Sequence, residues 1–304
     1  LLSRRQRQMC IRDSCKAIAH GAANPGTDIW EFWKRRAPLT KSMPVGVVLT
    51  IPAAGSETSD SAVLTNAEAG EKRGLNTPFN RPAFAILDPL LAATLPVHQV
   101  ACGVSDILMH TLDRYFNPVT DNALTDELAE ALLRVVLEYG PAAVRDAHDE
   151  KAMSEIMWAG SLSHNGLTGL GGKKDFATHQ LGHALSEKFD VYHGDSLTAV
   201  WSSWARSVMD ESPARFARFA RNVWHVEEAD DTAAALAGIA KQESFFRSIG
   251  MPVCLGELSC GKQDEAGLAD LASRCSYGKT RTIGTFRVLD YEKILAIYRR
   301  ANEA

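Results

Sequence analysis

Two stretches of the chain are apolar without alternation and have the length of strands. They are Val45-Gly46-Val47-Val48-Leu49-Thr50 and Ala83-Phe84-Ala85-Ile86-Leu87-Asp88, each closed soon after by a proline, Pro52 or Pro89. Unbroken apolar character predicts strands, the first of them covered on both faces as in a parallel sheet. A short amphipathic helix is predicted over 28–34, between Asn24-Pro25-Gly26 and Pro38. From Leu95-Pro96 onward the period becomes helical. Helices are predicted over 97–116, 121–138, 150–168, 175–188, 196–210, 213–224, 231–249, 264–275 and 290–302, with Gly, Pro, Asn or Asp at most joins. The chain therefore divides into an α/β part, 15–94, and an all-helical part, 95–304. Residues 1–14, LLSRRQRQMCIRDS, fit neither pattern.

The candidate chemistry lies in the helical part. His179 and His183 are four apart, so on the 175–188 helix they share one face about 6 Å apart. Asp175 is a candidate N-cap for that helix. His193 follows His179 by 14 residues, roughly 21 Å along a straight helix, so it reaches the same site only if the chain folds back before it. Tyr192-His193-Gly194-Asp195 has the composition of such a turn. A second i,i+4 pair, Asp106 and His110, lies on the 97–116 helix. One carboxylate and two or three imidazoles suit zinc or ferrous iron, with one position left for an exogenous oxygen. Asp113 and Tyr115, one turn beyond His110, are either outer partners of such a site or surface residues. His98, His148, His164 and His225 have no partner at metal spacing and read as ordinary. Trp201, Trp204 and Trp224 read as core, and so does Trp158, its alternative being a place in the pocket of the site.

Composition narrows the class without naming it. A net charge of -4 leaves no basic excess for nucleic acid, and no apolar run approaches the 18 residues of a membrane span. The six cysteines show no CxxC spacing and read as free thiols, and with no signal-peptide pattern a cytoplasmic location is expected.

The order DxxxH, then HxxxH, then a third histidine at +14 resembles the iron-containing alcohol dehydrogenase family, in its NADPH-dependent aldehyde reductase and butanol dehydrogenase branch. Leu49-Thr50-Ile51-Pro52-Ala53-Ala54-Gly55-Ser56-Glu57, Phe84-Ala85-Ile86-Leu87-Asp88-Pro89, Thr94-Leu95-Pro96 and Ala177-Thr178-His179-Gln180-Leu181-Gly182-His183 are similar to that branch's signatures, in its order. The resemblance implies a dehydroquinate synthase-like fold: the C-terminal remnant of a nucleotide-binding α/β domain, followed by a helical metal-binding domain. It implies that Asp106, His110, His179 and His193 hold one Fe2+ or Zn2+ per chain. It implies that His183 lies beside the nicotinamide as the catalytic histidine, and that Thr50, Gly55, Ser56 and Lys72 lie on the cofactor side. Ala54 stands where a Thr is usual, and Ser59 where an Asn can occur. Hydride transfer between NADP(H), rather than NAD(H), and a small aldehyde or primary alcohol is the implied reaction, in a homodimer without nucleic-acid or membrane partners.

The family's Gly-Gly-Gly-Ser turn for the pyrophosphate is not found, and roughly 85–90 residues are expected upstream of Lys16. RRQRQMCIRDS resembles translated sequencing adapter, its alternative being a basic arm. Two other readings compete with the dehydrogenase. One is a metal-binding fragment without activity. The other is a helical hydrolase of the HD type, which needs an adjacent His-Asp pair, whereas His193 is followed by glycine.

Overall fold

The computed structural model describes residues 7–66, 71–119 and 121–303, less the side chains of 7–11, 65 and 72. Two strands, β1 (Gly46–Leu49) and β4 (Phe84–Leu87), pair in parallel with Val47 opposite Ala85. Between them the chain makes a hairpin of β2 (Ser61–Asn66) and β3 (Glu71–Asn76), with Ala62 opposite Leu75. The hydrophobic pattern does not announce this hairpin, because Leu75 is the single large apolar residue of β3. Ala62 and Leu75 are buried against Ala17 of α1 (Arg7–Ala23) and Trp30, Phe32 and Trp33 of α2 (Ile29–Trp33). A small core of their own holds these four elements together.

β1 departs from the expectation of cover on both faces. Val47 and Leu49 are buried, but Val48 is 54% exposed, and on β4 Phe84 and Ile86 are 60% and 50% exposed. Leu49 joins the core of the helical part, while the opposite face meets no covering layer among the described residues.

The expected boundary after residue 14 falls inside α1, where the side chains of residues 12, 13 and 16 bond the rest of the α/β part. Arg12 donates to Glu57 at 3.1 Å, and Asp13 accepts from the Val63 N–H at 2.9 Å. Lys16 Nζ donates to the Ser56 and Ser61 carbonyls, both at 2.9 Å, and to Ser56 Oγ at 3.0 Å. Burial pushes the Lys16 ammonium down from 10.5 to about 8, against the pull of Asp13. Between those two values the unfolded chain binds more protons than the folded one, so this residue's contribution to stability rises with pH across the window. The gain is at most about 3 kcal/mol, since one pKa unit is worth ~1.4 kcal/mol. Urea midpoints taken at the two ends of the window should show it. A Lys16→Met variant should show a smaller rise than wild type, and equal rises would assign the effect to other groups.

The helical part holds α3 (Val97–Tyr115), α4 (Ala123–Arg145), α5 (Glu150–His164), α6 (Ala177–Phe189), α7 (His193–Val208), α8 (Pro213–Trp224), α9 (Asp231–Ser248), α10 (Glu265–Cys275) and α11 (Tyr291–Glu303). These follow the predicted periods with two notable differences. α4 continues to Arg145 through Gly140 and Pro141, residues that end a helix by propensity alone. α7 begins at His193, so the residue expected in a turn is the first of a helix. None of the described helices is long and apolar enough to cross a membrane.

α3 runs through the middle of this part, and all its residues from Gly103 to Tyr115 are buried. A helix apolar all round is a core helix, and Val104, Ile107, Leu108, Met109 and Leu112 make it so. Asp106, His110, Asp113 and Arg114 are buried in that setting, where each polar group needs a partner.

Candidate metal centre

Three helices bring four side chains to one point. α3 supplies Asp106 and His110, and α6 supplies His179 from its first turn. α6 stops at Asp190, whose left-handed backbone (φ 52°) turns the chain, and α7 restarts with His193. The approach of α7 to α3 depends on Gly194, since a Cβ there would lie 2.7 Å from the Cys102 Cα. With no side chain in the way, the first turn of α7 seats on α3 and carries His193 to Asp106.

Asp106 Oδ1 lies 3.4 Å from His110 Nε2, 3.6 Å from His179 Nε2 and 3.7 Å from His193 Nε2. Ligands on a tetrahedral zinc-sized ion, at about 2.1 Å from it, stand about 3.4 Å from one another. Asp106 Oδ1, His110 Nε2 and His179 Nε2 are also buried without any hydrogen-bond partner, at the closest approach of the group. Buried orphan acceptors are costly, and a cation among them satisfies all of them at once. The residues fit a divalent metal.

The outer partners point the same way. His179 Nδ1 lies 2.5 Å from Asp113 Oδ2. A carboxylate only accepts, so Nδ1 carries a proton and Nε2 is the nitrogen that faces the centre, where a cation would take the place of a second proton. Burial disfavours a charged His179, but Asp113 and Asp106 outweigh it and raise the imidazole to about 9. His110 is driven well below its ordinary value by burial, then by His164, His179 and Arg114. One wall of the site attracts positive charge and the other holds its imidazole neutral, as metal ligation requires.

The centre opens onto a cleft of about 1290 Å³ between the helical and α/β parts, whose lining includes Ser56, Val63, Arg73, Phe176, His183 and Arg281. The His183 ring lies 5.4 Å from that of His193, stacked at 27°, and 6.3 Å from that of His179. Ser56 lines the cleft, but Gly55 is buried behind it, where a Cβ would meet the Gly160 carbonyl at 2.5 Å and the His164 Cβ at 2.7 Å. The conformational freedom expected to admit a cofactor serves here to seat the loop on α5. Thr50 is exposed at the end of β1 and lies off the cleft lining. The side chain of Lys72 lies outside the described residues, and its backbone pairs with Thr65.

Several expectations are corrected here. The ring of His164, expected to be ordinary, lies 4.0 Å from that of His110, tilted by 32°, and donates from Nδ1 to the Ala54 carbonyl at 2.6 Å. Its spacing hid it, because it comes from α5, a different helix. Arg114, which no spacing marks, is buried, donates to the His110 carbonyl and lies 4.8 Å over the Phe176 ring. Its one signal was an arginine set in a core helix. Tyr115 faces away from the metal site, donating to Glu130 at 2.8 Å beneath Arg215. Trp158 is 58% exposed and not core. Asp175 precedes Phe176, the N-cap by position. Its carboxylate accepts from the Ala177 N–H and, through the other oxygen, from those of Thr285 and Phe286. The adjacent pair His148-Asp149 lies at the start of α5, where Asp149 caps the helix, off the cleft.

The family model for the C-terminal region of Fe-containing alcohol dehydrogenases matches residues 99–302, and that for iron-containing alcohol dehydrogenases matches 11–89. The chain belongs to the iron-containing alcohol dehydrogenase family. It is 35% identical over 291 residues to NADH-dependent butanol dehydrogenase A of Clostridium acetobutylicum, covering 95% of this chain and 74% of that protein. It is 34% identical over 249 residues to the NADPH-dependent aldehyde reductase YqhD of Escherichia coli, covering 81% and 64%. Among solved structures, E. coli K-12 YqhD superposes with a TM-score of 0.88 at 30% identity, covering 96% of this chain and 74% of that one. NADH-dependent butanol dehydrogenase A of Thermotoga maritima gives the same score and coverage at 28% identity. The helical part is thus the C-terminal helical domain of the family's dehydroquinate synthase-like fold.

Proposed function

We propose that Asp106, His110, His179 and His193 form the catalytic centre of a metal-dependent, NAD(P)H-linked alcohol dehydrogenase or aldehyde reductase. One observation carries it: three imidazole nitrogens close on a single carboxylate oxygen at the wall of a large cleft. An ion held there, iron in keeping with the family, would supply Lewis acidity at a substrate oxygen, and a bound nicotinamide would supply or accept the hydride. The four side chains hold the ion, and Asp113 keeps the His179 proton on Nδ1. Phe176, 5.1 Å from the His179 ring, gives the site an apolar wall that excludes water. His183 lines the cleft beside His193, where its ring would relay a proton from water to the oxygen that gains charge. A small aldehyde, or a primary alcohol in reverse, is the substrate class, and a cytoplasmic location suits it.

The test is His183→Ala, assayed by loss of reduced-nicotinamide absorbance with a short aliphatic aldehyde. It should keep its metal and lose on the order of 10²-fold in turnover, the range for a proton-transfer group. Metal loss equal to that of His179→Ala would move His183 into the ligand set. No oxidation of reduced nicotinamide by the metal-loaded wild type would reject the dehydrogenase reading.

NADP(H) over NAD(H) is also proposed, on the likeness to the NADPH-dependent reductase, although the butanol dehydrogenase at similar identity is named NADH-dependent. kcat/KM measured with both cofactors decides it, and a preference for NADH overturns it.

A further inference from the structure

α3 carries another i,i+4 pair, His98 and Cys102, one turn before Asp106. Facing it is Asp195 in the first turn of α7. His98 Nε2 lies 3.1 Å from Asp195 Oδ1, and Cys102 Sγ lies 3.8 Å from the same oxygen. The three candidate ligand atoms all lie within 4.8 Å of one another. On a tetrahedral zinc, nitrogen and oxygen ligands stand about 3.4 Å apart, and sulfur and oxygen about 3.6 Å. The Tyr192 ring meets the His98 ring edge-on at 5.0 Å and helps hold its orientation.

We propose that His98, Cys102 and Asp195 form a second metal site, for a borderline divalent cation of the zinc class, with its fourth position open to water. Sulfur is what selects the cation, since a thiolate favours zinc and its heavier relatives over magnesium or calcium. Access is available. His98 is 42% exposed, and an open cavity of about 420 Å³ lined by His98, Asp195, Arg247, Met251 and Glu257 adjoins it. On binding, the Cys102 thiol gives its proton to solvent, and Sγ, His98 Nε2 and an Asp195 oxygen donate to the ion. The same pair of helices frames both sites. Cys102 is one turn from Asp106, Asp195 is two residues from His193, and Gly194 packs on Cys102 between them. Because its three ligands are distinct from the four of the catalytic centre, the second site stands whether or not that centre has the role proposed above.

Metal-free full chain is titrated with zinc, freed of excess by gel filtration and analysed for bound metal. Wild type should hold two ions per chain, and Cys102→Ala and His98→Gln one each. In parallel, cobalt(II) should give a thiolate-to-metal charge-transfer absorption in the near ultraviolet. His179→Ala should keep that absorption and Cys102→Ala should lose it. Circular dichroism of each variant shows whether it folds, and the two ligand variants serve as independent checks. A single equivalent in wild type, or a charge-transfer band that survives in folded Cys102→Ala, overturns the site.

Discussion

His179→Ala is expected to empty the four-ligand centre and lower kcat/KM by on the order of 10³-fold, because metal polarisation is worth several kcal/mol at the transition state. The substitution acts twice. It removes Nε2, 3.6 Å from Asp106 Oδ1, and it takes away the N–H that Asp113 accepts. Asp113 is buried completely, so its carboxylate would be left without that donor in the core. Three remaining ligands on exposed loops could rearrange around an ion, but these sit on packed helices and do not move to close the gap. The measurement pairs bound-metal analysis after dialysis with steady-state kinetics, and it should show one equivalent fewer than wild type. A variant with wild-type metal content, and with kcat/KM within about twofold of wild type, would end the assignment of His179 as a ligand.

Asp126→Ala should destabilise the helical part by about 3–5 kcal/mol, the cost of leaving a buried ion pair with one member. Arg215 from α8 meets Asp126 of α4 through two nitrogens, at 2.5 Å and 2.6 Å, with both side chains only 4% exposed. Its guanidinium also donates to the Tyr115 carbonyl and lies 3.8 Å over the Tyr115 ring. The arginine thus ties together the end of α3, the start of α4 and the start of α8. Removing the aspartate strands a guanidinium that has no route to water, whereas removing both charges does not. The double variant Asp126→Ala/Arg215→Met should therefore recover part of the loss. Equilibrium urea unfolding of the three variants tests this. A loss under about 1 kcal/mol for Asp126→Ala would mean that the pair is not desolvated as described.

The side chains proposed as ligands were legible as candidates because helical spacing is a local property. Asp106 and His110, or His179 and His183, share a face wherever the helix ends up, and periodicity alone places them on helices. The spacing did not distinguish which histidine of the second pair joins the centre. His183 has the same spacing to His179 as His110 has to Asp106, yet its ring turns to the cleft while that of His179 meets Asp113. The β2–β3 hairpin was not legible, because Glu71-Lys72-Arg73-Gly74 carries no alternation and pairs through its backbone.

By itself, the sequence determined the division into a short α/β part and a helical part, most helix limits, the two i,i+4 pairs and the family signatures. All of these are written in neighbours along the chain. Tertiary structure alone decided which side chains meet across helices. It set His193 against Asp106 through the gap at Gly194, brought His164 from α5 onto His110, turned Tyr115 away to Arg215, and placed Asp195 beside His98 and Cys102. Contacts between helices follow from how their surfaces interlock at close packing, and one small residue can decide them. Spacing within a helix carries no record of that fit.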